Sequence, residues 1–408
     1  MVVEEPKEFP VQALNLGAPG KDCGTAIARV ASLTAVTNAF AWLDRHPAAC
    51  ERETAAIAEI PAPTFGEERR AAYVAQRLQE LGAEQVHGFG LGNVAGRFGP
   101  TTGEGIALLA HLDTVFTEAV DHRVSRRGGR LYGPGVGDNS AGVAGTITAL
   151  AAAQAAGLRF ERPVWVVGNV GEEGLGDLRG SRDTMEHFAG RLSAVLAIEG
   201  TMLGRLGHVA VGSRRLKVRF HAEGGHSWLD FGKASAVHAA VQAAAEIARL
   251  KVPTEPRTTF NIGRISGGDG VNVVAPSAEL LLDMRSVGVA ALADLSDRVE
   301  EILRRAAGPE ITVEIEEVGQ RPAGSIPRTH PLMQLCAAVL LRVGVRPEPT
   351  AGSTDANIPL SQGIPALALG VTRGAGIHSA SEWIEIAPMR QGVQQLVLVC
   401  AALAGVAE

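Results

Sequence analysis

The chain has 408 residues, a net charge of −6 and 46% hydrophobic residues. That length suits two domains of ordinary size. No basic cluster of the nucleic-acid-binding kind is present, and no apolar run reaches the ~20 residues of a membrane span. The first residues, Met1-Val-Val-Glu-Glu-Pro6, are acidic and lack a signal-peptide core. Cys23, Cys50, Cys336 and Cys400 are scattered without disulfide or metal spacing, so reduced thiols in a cytoplasmic protein are expected.

Residues 1–33, with their Pro, Gly and polar side chains, read as an N-terminal arm. Residues 34–206 read as the first part of an α/β catalytic domain. Thr64-Phe-Gly-Glu-Glu opens a helix to Leu81, with apolar positions at Ala71, Val74, Leu78 and Leu81. Residues 106–110 are a short apolar run that predicts a buried strand. It ends at His111-Leu-Asp113, the end at which open α/β sheets place their ligands. In an extended chain, positions i and i+2 face the same side. Asp113 is therefore able to reach the far ring nitrogen of His111 or of another ligand. A strand-end His with a capping Asp is the plain alternative.

Gly133-Pro-Gly-Val-Gly-Asp138-Asn-Ser-Ala-Gly142 is a tight turn leading into a helical stretch, 143–156. It lacks the Lys of a phosphate-binding loop and the spacing of a dinucleotide fingerprint. With His111 upstream, a metal-bridging role for Asp138 is preferred over a simple N-cap. A β-rich run, 163–167, leads to Gly171-Glu172-Glu173-Gly174. Adjacent carboxylates after a buried strand are costly unless a metal or proton compensates. One of the two suits a ligand and its neighbour a general base. A third strand, 194–198, ends at Glu199, and a fourth, 365–370, precedes Gly376-Ile-His378. His111, Asp138, Glu173, Glu199 and His378 thus supply the ligands for two metal ions sharing one carboxylate. His and carboxylate donors suit Zn²⁺, two per chain, with Mn²⁺ or Co²⁺ as alternatives. Water shared by two such ions loses its proton more readily, and a neighbouring Glu is placed to take it during amide hydrolysis.

From about 207 the pattern changes. Residues 216–221, 260–266, 278–285 and 311–318 read as strands, and 234–250 and 291–307 as helices. The order β-α-β-β-α-β is that of a ferredoxin-like sandwich. Residues 207–320 are therefore expected as an α+β domain of their own, followed by 321–408.

The order and spacing of these motifs, together with Gly225-His226-Ser227 and His378-Ser-Ala-Ser-Glu382-Trp, resemble the zinc-dependent carboxypeptidase G, aminoacylase and tripeptidase superfamily. That group also holds acetylornithine deacetylase and succinyl-diaminopimelate desuccinylase. The likeness runs from about residue 35 to the end. It implies a hydrolase-like α/β sheet with flanking helices, bearing an inserted lid and dimerisation domain, with 321–408 completing the first domain. By family role, His111 and Glu199 hold one metal, Glu173 and His378 the other, and Asp138 bridges. Asp113 orients His111, and Glu172 is the catalytic base. A cis peptide after Asp138 is implied. So is a homodimer in which His226 reaches the partner's site to stabilise the oxyanion.

Arg285 at a strand end suits a substrate carboxylate. Asn272 and the Gly352-Ser353-Thr-Asp355 loop resemble substrate-contacting positions. Each has an ordinary alternative, in a strand-edge Arg, a turn Asn or a helix cap. Glu at 199 and Arg285 lean towards carboxypeptidase or deacylase activity on small peptides or N-acyl amino acids. The 352–357 and 378–383 segments look as much like tripeptidase-type aminopeptidases. A silent ligand-binding relative is disfavoured because all five ligands and Glu172 are retained. Hydrolysis of carbamoyl compounds is disfavoured by Glu, not His, at 199.

Overall fold

A computed structural model describes residues 23–407. The chain divides into two compact units. One runs to Val209 and resumes at Ser325, and the other is Ala210–Gly324.

The first unit is built on a mixed sheet whose centre is parallel. Gly105–His111 lies between Val164–Asn169 and Leu192–Glu199, and Ala366–Gly370 pairs with the far side of Leu192–Glu199. Every residue of Gly105–His111, Val164–Asn169 and Ala366–Gly370 is buried. This explains why they read as unbroken apolar runs, since strands covered on both faces have no polar side to show. Register aligns their carboxyl ends. His111 is opposite Asn169, Leu109 opposite Ala197, and Gly370 opposite Glu199. The chain leaves the His111 strand for one neighbour, then returns across it to the other. Such a reversal opens a crevice at the carboxyl ends of the strands.

The helix Ala141–Ala155 buries twelve of its fifteen residues, nearly all Ala, Gly, Thr or β-branched. It packs on the sheet and on the helices Thr34–Arg45, Ala49–Ala58 and Met389–Ala404. The small side chains permit that close approach on every face.

The expected N-terminal arm is corrected over its last part. Cys23–Ser32 is a helix that buries Ile27 and Ala31, four residues apart on one face. It packs against the helices Pro331–Arg342 and Met389–Ala404. Residues 1–22 lie outside the described residues. No single described helix is long and apolar enough to cross a membrane. None of the four cysteines is in a disulfide, and Cys50, Cys336 and Cys400 are buried.

The second unit has four antiparallel strands, ordered Thr258–Gly267, Ser277–Ser286, Gly212–His221, Thr312–Arg321. The helices Ala236–Ile247 and Val289–Arg305 cover one face. Leu216, Val218, Phe220, Leu280, Leu282 and Met284 meet them there. The opposite face is a lattice of ion pairs, among them Arg215–Asp283 at 3.2 Å and Arg219–Glu316 at 3.0 Å. Strict alternation of these two sets is what made the strands legible. Element order and sheet are those of the ferredoxin-like sandwich.

Gly392 marks the tightest helix-to-sheet approach. A Cβ there would lie 1.8 Å from the carbonyl oxygen of Val371. Gly392→Ala should therefore cost about 1–3 kcal/mol, the usual scale of overpacking. A lowered chemical-denaturation midpoint at unchanged m-value would register it.

Candidate metal centre

The row of strand ends gathers the five expected donors. His111 is buried at the end of its strand, and its Nε2 lies 3.0 Å from Asp138 Oδ1 and 3.9 Å from Glu199 Oε2. His378 is half-exposed, and its Nε2 lies 3.2 Å from Asp138 Oδ2 and 3.0 Å from Glu173 Oε1. The two oxygens of Asp138 thus face different histidines. Two triads result, His111–Asp138–Glu199 and Asp138–Glu173–His378, each with donor atoms within 4.8 Å of one another. Glu172 forms a further group of this size with His111 and Glu173.

The electrostatics fit a divalent cation. Burial, and then repulsion from Asp138, push Glu199 up to about 8. Burial and the same neighbour also raise Glu173. Asp138 is held well below the usual carboxylate range: burial opposes this, but both histidines stabilise its charge. Its hydrogen bond and charge raise His378 to about 9. Three carboxylates crowded around two imidazoles would be relieved by positive charge placed between them. Imidazole and carboxylate together are the donors expected for zinc.

Each donor is held by backbone contacts. The loop carrying Asp138 is anchored by Glu382, a fully buried residue. Its carboxylate accepts the amides of Gly135, Gly137 and Asp138 at 3.2, 2.7 and 2.8 Å. Burial pushes that carboxyl up to about 7, against the lowering effect of the amides. Asn139 Nδ2 donates to the carbonyl of Ile198 at 2.8 Å, tying the loop to the Glu199 strand. The Asp138–Asn139 peptide is cis. Gly200 makes the close approach feasible, since a Cβ there would sit 1.9 Å from the Gly137 carbonyl oxygen.

Asp113 does more than orient a histidine. Its Oδ1 is 3.5 Å from His111 Nδ1, whereas its own carbonyl is closer at 3.1 Å. The carboxylate accepts the amides of Glu172 and Glu173, each at 2.9 Å, and the Thr64 hydroxyl at 2.9 Å. It therefore fixes the turn that presents both glutamates. Glu67, also buried, accepts the Gly171 amide at 3.0 Å and pairs with Arg179 at 3.3 Å. Buried Arg70 donates to the Leu112 carbonyl at 2.8 Å, beside Asp113. Asp355 accepts from Asn169 Nδ2 at 2.8 Å and adds its charge to the field on Glu199.

Gly352 ends the strand Glu348–Gly352 and Ser353 follows it. His226, Asn272 and Arg285 belong to the inserted unit. Arg285 donates through Nε to Asp283 at 2.7 Å. His226 ends the short strand Gly225–His226, and Trp228, Leu229 and Phe231 just beyond it are exposed. The Trp228 amide donates to His226 Nδ1 at 3.2 Å, so the neutral ring carries its proton on Nε2. The Asn272 carbonyl accepts from the Ser227 amide at 2.9 Å.

Histidine–carboxylate donors at the carboxyl ends of parallel strands, beside a spare buried carboxylate, define a metal-dependent hydrolase. The chain belongs to peptidase family M20/M25/M40, whose model matches residues 107–402. It is accordingly a metallopeptidase or amidohydrolase. It is 26% identical over 309 residues to carboxypeptidase G2 of Pseudomonas sp. (strain RS-16), covering 72% of each chain. It is 26% identical over 336 residues to succinyl-diaminopimelate desuccinylase of Nitrosospira multiformis, covering 77% of this chain and 88% of that one. In fold it resembles the aminopeptidase PepT of Bacillus cereus, with a TM-score of 0.73 and 19% identity over 88% of this chain and 99% of that one.

Removing the Glu382 anchor should loosen the Asp138 loop. Glu382→Ala is expected to weaken Zn²⁺ binding to the metal-stripped protein about 10–100-fold, the usual cost of losing a partner behind the ligands. Titration calorimetry would read it. An unchanged affinity would take Glu382 out of the site's support.

Proposed function

We propose that this chain hydrolyses amide bonds in short peptides or N-acyl amino acids, using two divalent cations, Zn²⁺ by preference. The placement of one oxygen of Asp138 towards each of two histidines is the observation that carries this reading. His111 and Glu199 would hold one cation, Glu173 and His378 the other, and Asp138 both. Bound there, the ions would supply Lewis-acid polarisation of the amide carbonyl and a water of lowered pKa.

The protein groups do the rest. Glu172 is buried, its backbone fixed on Asp113, and its carboxylate has no place in either Asp138 triad. It is assigned as the general base that takes the proton of the attacking water and returns it to the departing nitrogen. Asp113 positions that base and its neighbour by holding both amides. Arg285, steadied by Asp283, is assigned with Asn272 to the substrate carboxylate. The Gly352–Ser353 segment is assigned to the substrate's backbone.

His226 Nε2–H is suited to donate to a developing oxyanion. The exposed Trp228, Leu229 and Phe231 around it favour a homodimer that covers this turn. In that arrangement His226 serves the partner's centre. Mixed dimers of His226→Ala and Glu172→Ala chains should then regain activity, because one of the two centres keeps both groups. Verified mixed dimers without activity would rule out action across the dimer.

Metal analysis of the fully loaded chain should give two equivalents, and Asp138→Ala should lose both. Glu172→Gln keeps shape but cannot accept the proton. It should retain its metal and lose about 10²–10⁴-fold in turnover, with the loss in kcat. Loss of metal from Glu172→Gln and its retention by Glu173→Gln would exchange the two roles.

A further inference from the structure

The inserted unit aside, the described residues expose six large apolar side chains: Phe65, Leu91, Val115, Leu175, Leu341 and Ile377. Single exposed apolar residues are ordinary. Their placement is what matters here. Val115 is two residues past Asp113, and Leu175 two past Glu173. Phe65 follows Thr64, whose hydroxyl binds Asp113. Three of the six, Phe65, Val115 and Leu175, therefore lie on the loops that carry or buttress the candidate donors.

Phe65 is the most constrained of them. It adopts φ 75°, the left-handed region that bulky side chains avoid. Its neighbours are all engaged: Pro63 bridges Thr114, Gly66 N–H donates to the Pro63 carbonyl at 2.7 Å, and Glu67 accepts the Gly171 amide. The ring is 52% exposed, with the Arg179 guanidinium carbon 4.4 Å from its centroid. Arg179 also pairs with Glu67. The fold thus holds an aromatic ring outwards at a cost in backbone energy, on the loop that buttresses Asp113 and the Glu172 turn. Strain of this kind persists where the surroundings impose it, commonly at ligand sites. The Pro63–Thr114 bridge brings Val115 alongside. Leu175 is 70% exposed on the turn after Glu173.

We propose that Phe65, Val115 and Leu175 form an apolar collar that selects substrates with an aromatic or branched aliphatic group next to the scissile amide. This rests on the amide-hydrolase reading above and names the substrate class. The polar centre would hold the amide, and the collar would remove the adjoining apolar group from water. The driving force grows with apolar area. Selectivity should therefore rise with the size of that group.

The test uses the Zn²⁺-loaded full chain and two substrate ladders. One varies the acyl group of an N-acyl glycine from acetyl through butanoyl to benzoyl. The other varies the residue of an N-acetyl amino acid from Ala through Leu to Phe. At least one ladder should climb about tenfold or more in kcat/KM from its smallest to its largest member. Phe65→Asn, which tolerates the left-handed backbone, and Leu175→Ser should flatten that climb, chiefly by raising KM for the largest member. Leu91→Ser, outside the proposed collar, should leave the climb intact. Flat ladders in the wild type, or an undiminished climb in both collar variants, would overturn the collar. Cleavage of di- or tripeptides with no member of either ladder cleaved would also overturn the collar, and cleavage of neither peptides nor ladders would instead overturn the amide-hydrolase reading on which it rests.

Discussion

Asp138 is the point on which the candidate site turns. One carboxylate faces two histidines drawn from positions 111 and 378, and two more carboxylates close around them. The grouping is unfavourable in itself. Burial and mutual repulsion raise Glu173 and Glu199, so the fold has to hold like charges together against their preference to separate or protonate. A rigid scaffold is the price of such a site.

Rigidity comes from a second rank of buried carboxylates that accept backbone amides. Asp113 takes the amides of Glu172 and Glu173, Glu382 takes three amides from the Asp138 loop, and Glu67 takes that of Gly171. Hydrogen bonds to a charged acceptor are about twice as strong as neutral ones. They fix main chain, so the donor side chains inherit their directions from loops with little freedom. Below them, the aligned ends of the parallel strands set the spacing. Gly137 and Gly200 let two of these loops touch where a side chain would intrude.

Much of this was legible in the sequence, for a physical reason. Strands buried on both faces must be apolar throughout, so the first polar residue after each run stands out. His111 and Glu199 were visible in that way, and the Glu172–Glu173 pair as adjacent carboxylates shortly after the run that Asn169 ends. The sandwich was visible through the opposite pattern, alternation between Leu216, Val218 and Phe220 and their charged neighbours. Glu382 and Glu67 were seen only as part of a motif and of a helix start. Their roles depend on amides far away in sequence, Glu382 binding loop residues 244–247 positions earlier. No local pattern records that pairing. The helix Cys23–Ser32 was missed because a short amphipathic segment among Gly and Pro has little periodic signal of its own. Its apolar stripe acquires meaning only against the C-terminal helices.

The order of the donors along the chain has a further consequence for biosynthesis. His111, Asp138, Glu173 and Glu199 all precede the inserted unit, Ala210–Gly324, whereas His378 follows it. A nascent chain therefore exposes one complete triad, His111–Asp138–Glu199, long before the ribosome has made the residue that completes the other. The intervening unit has its own core and sheet to assemble in the meantime. The two halves of the centre would mature at different times, and the second would be sealed only after the inserted unit has emerged.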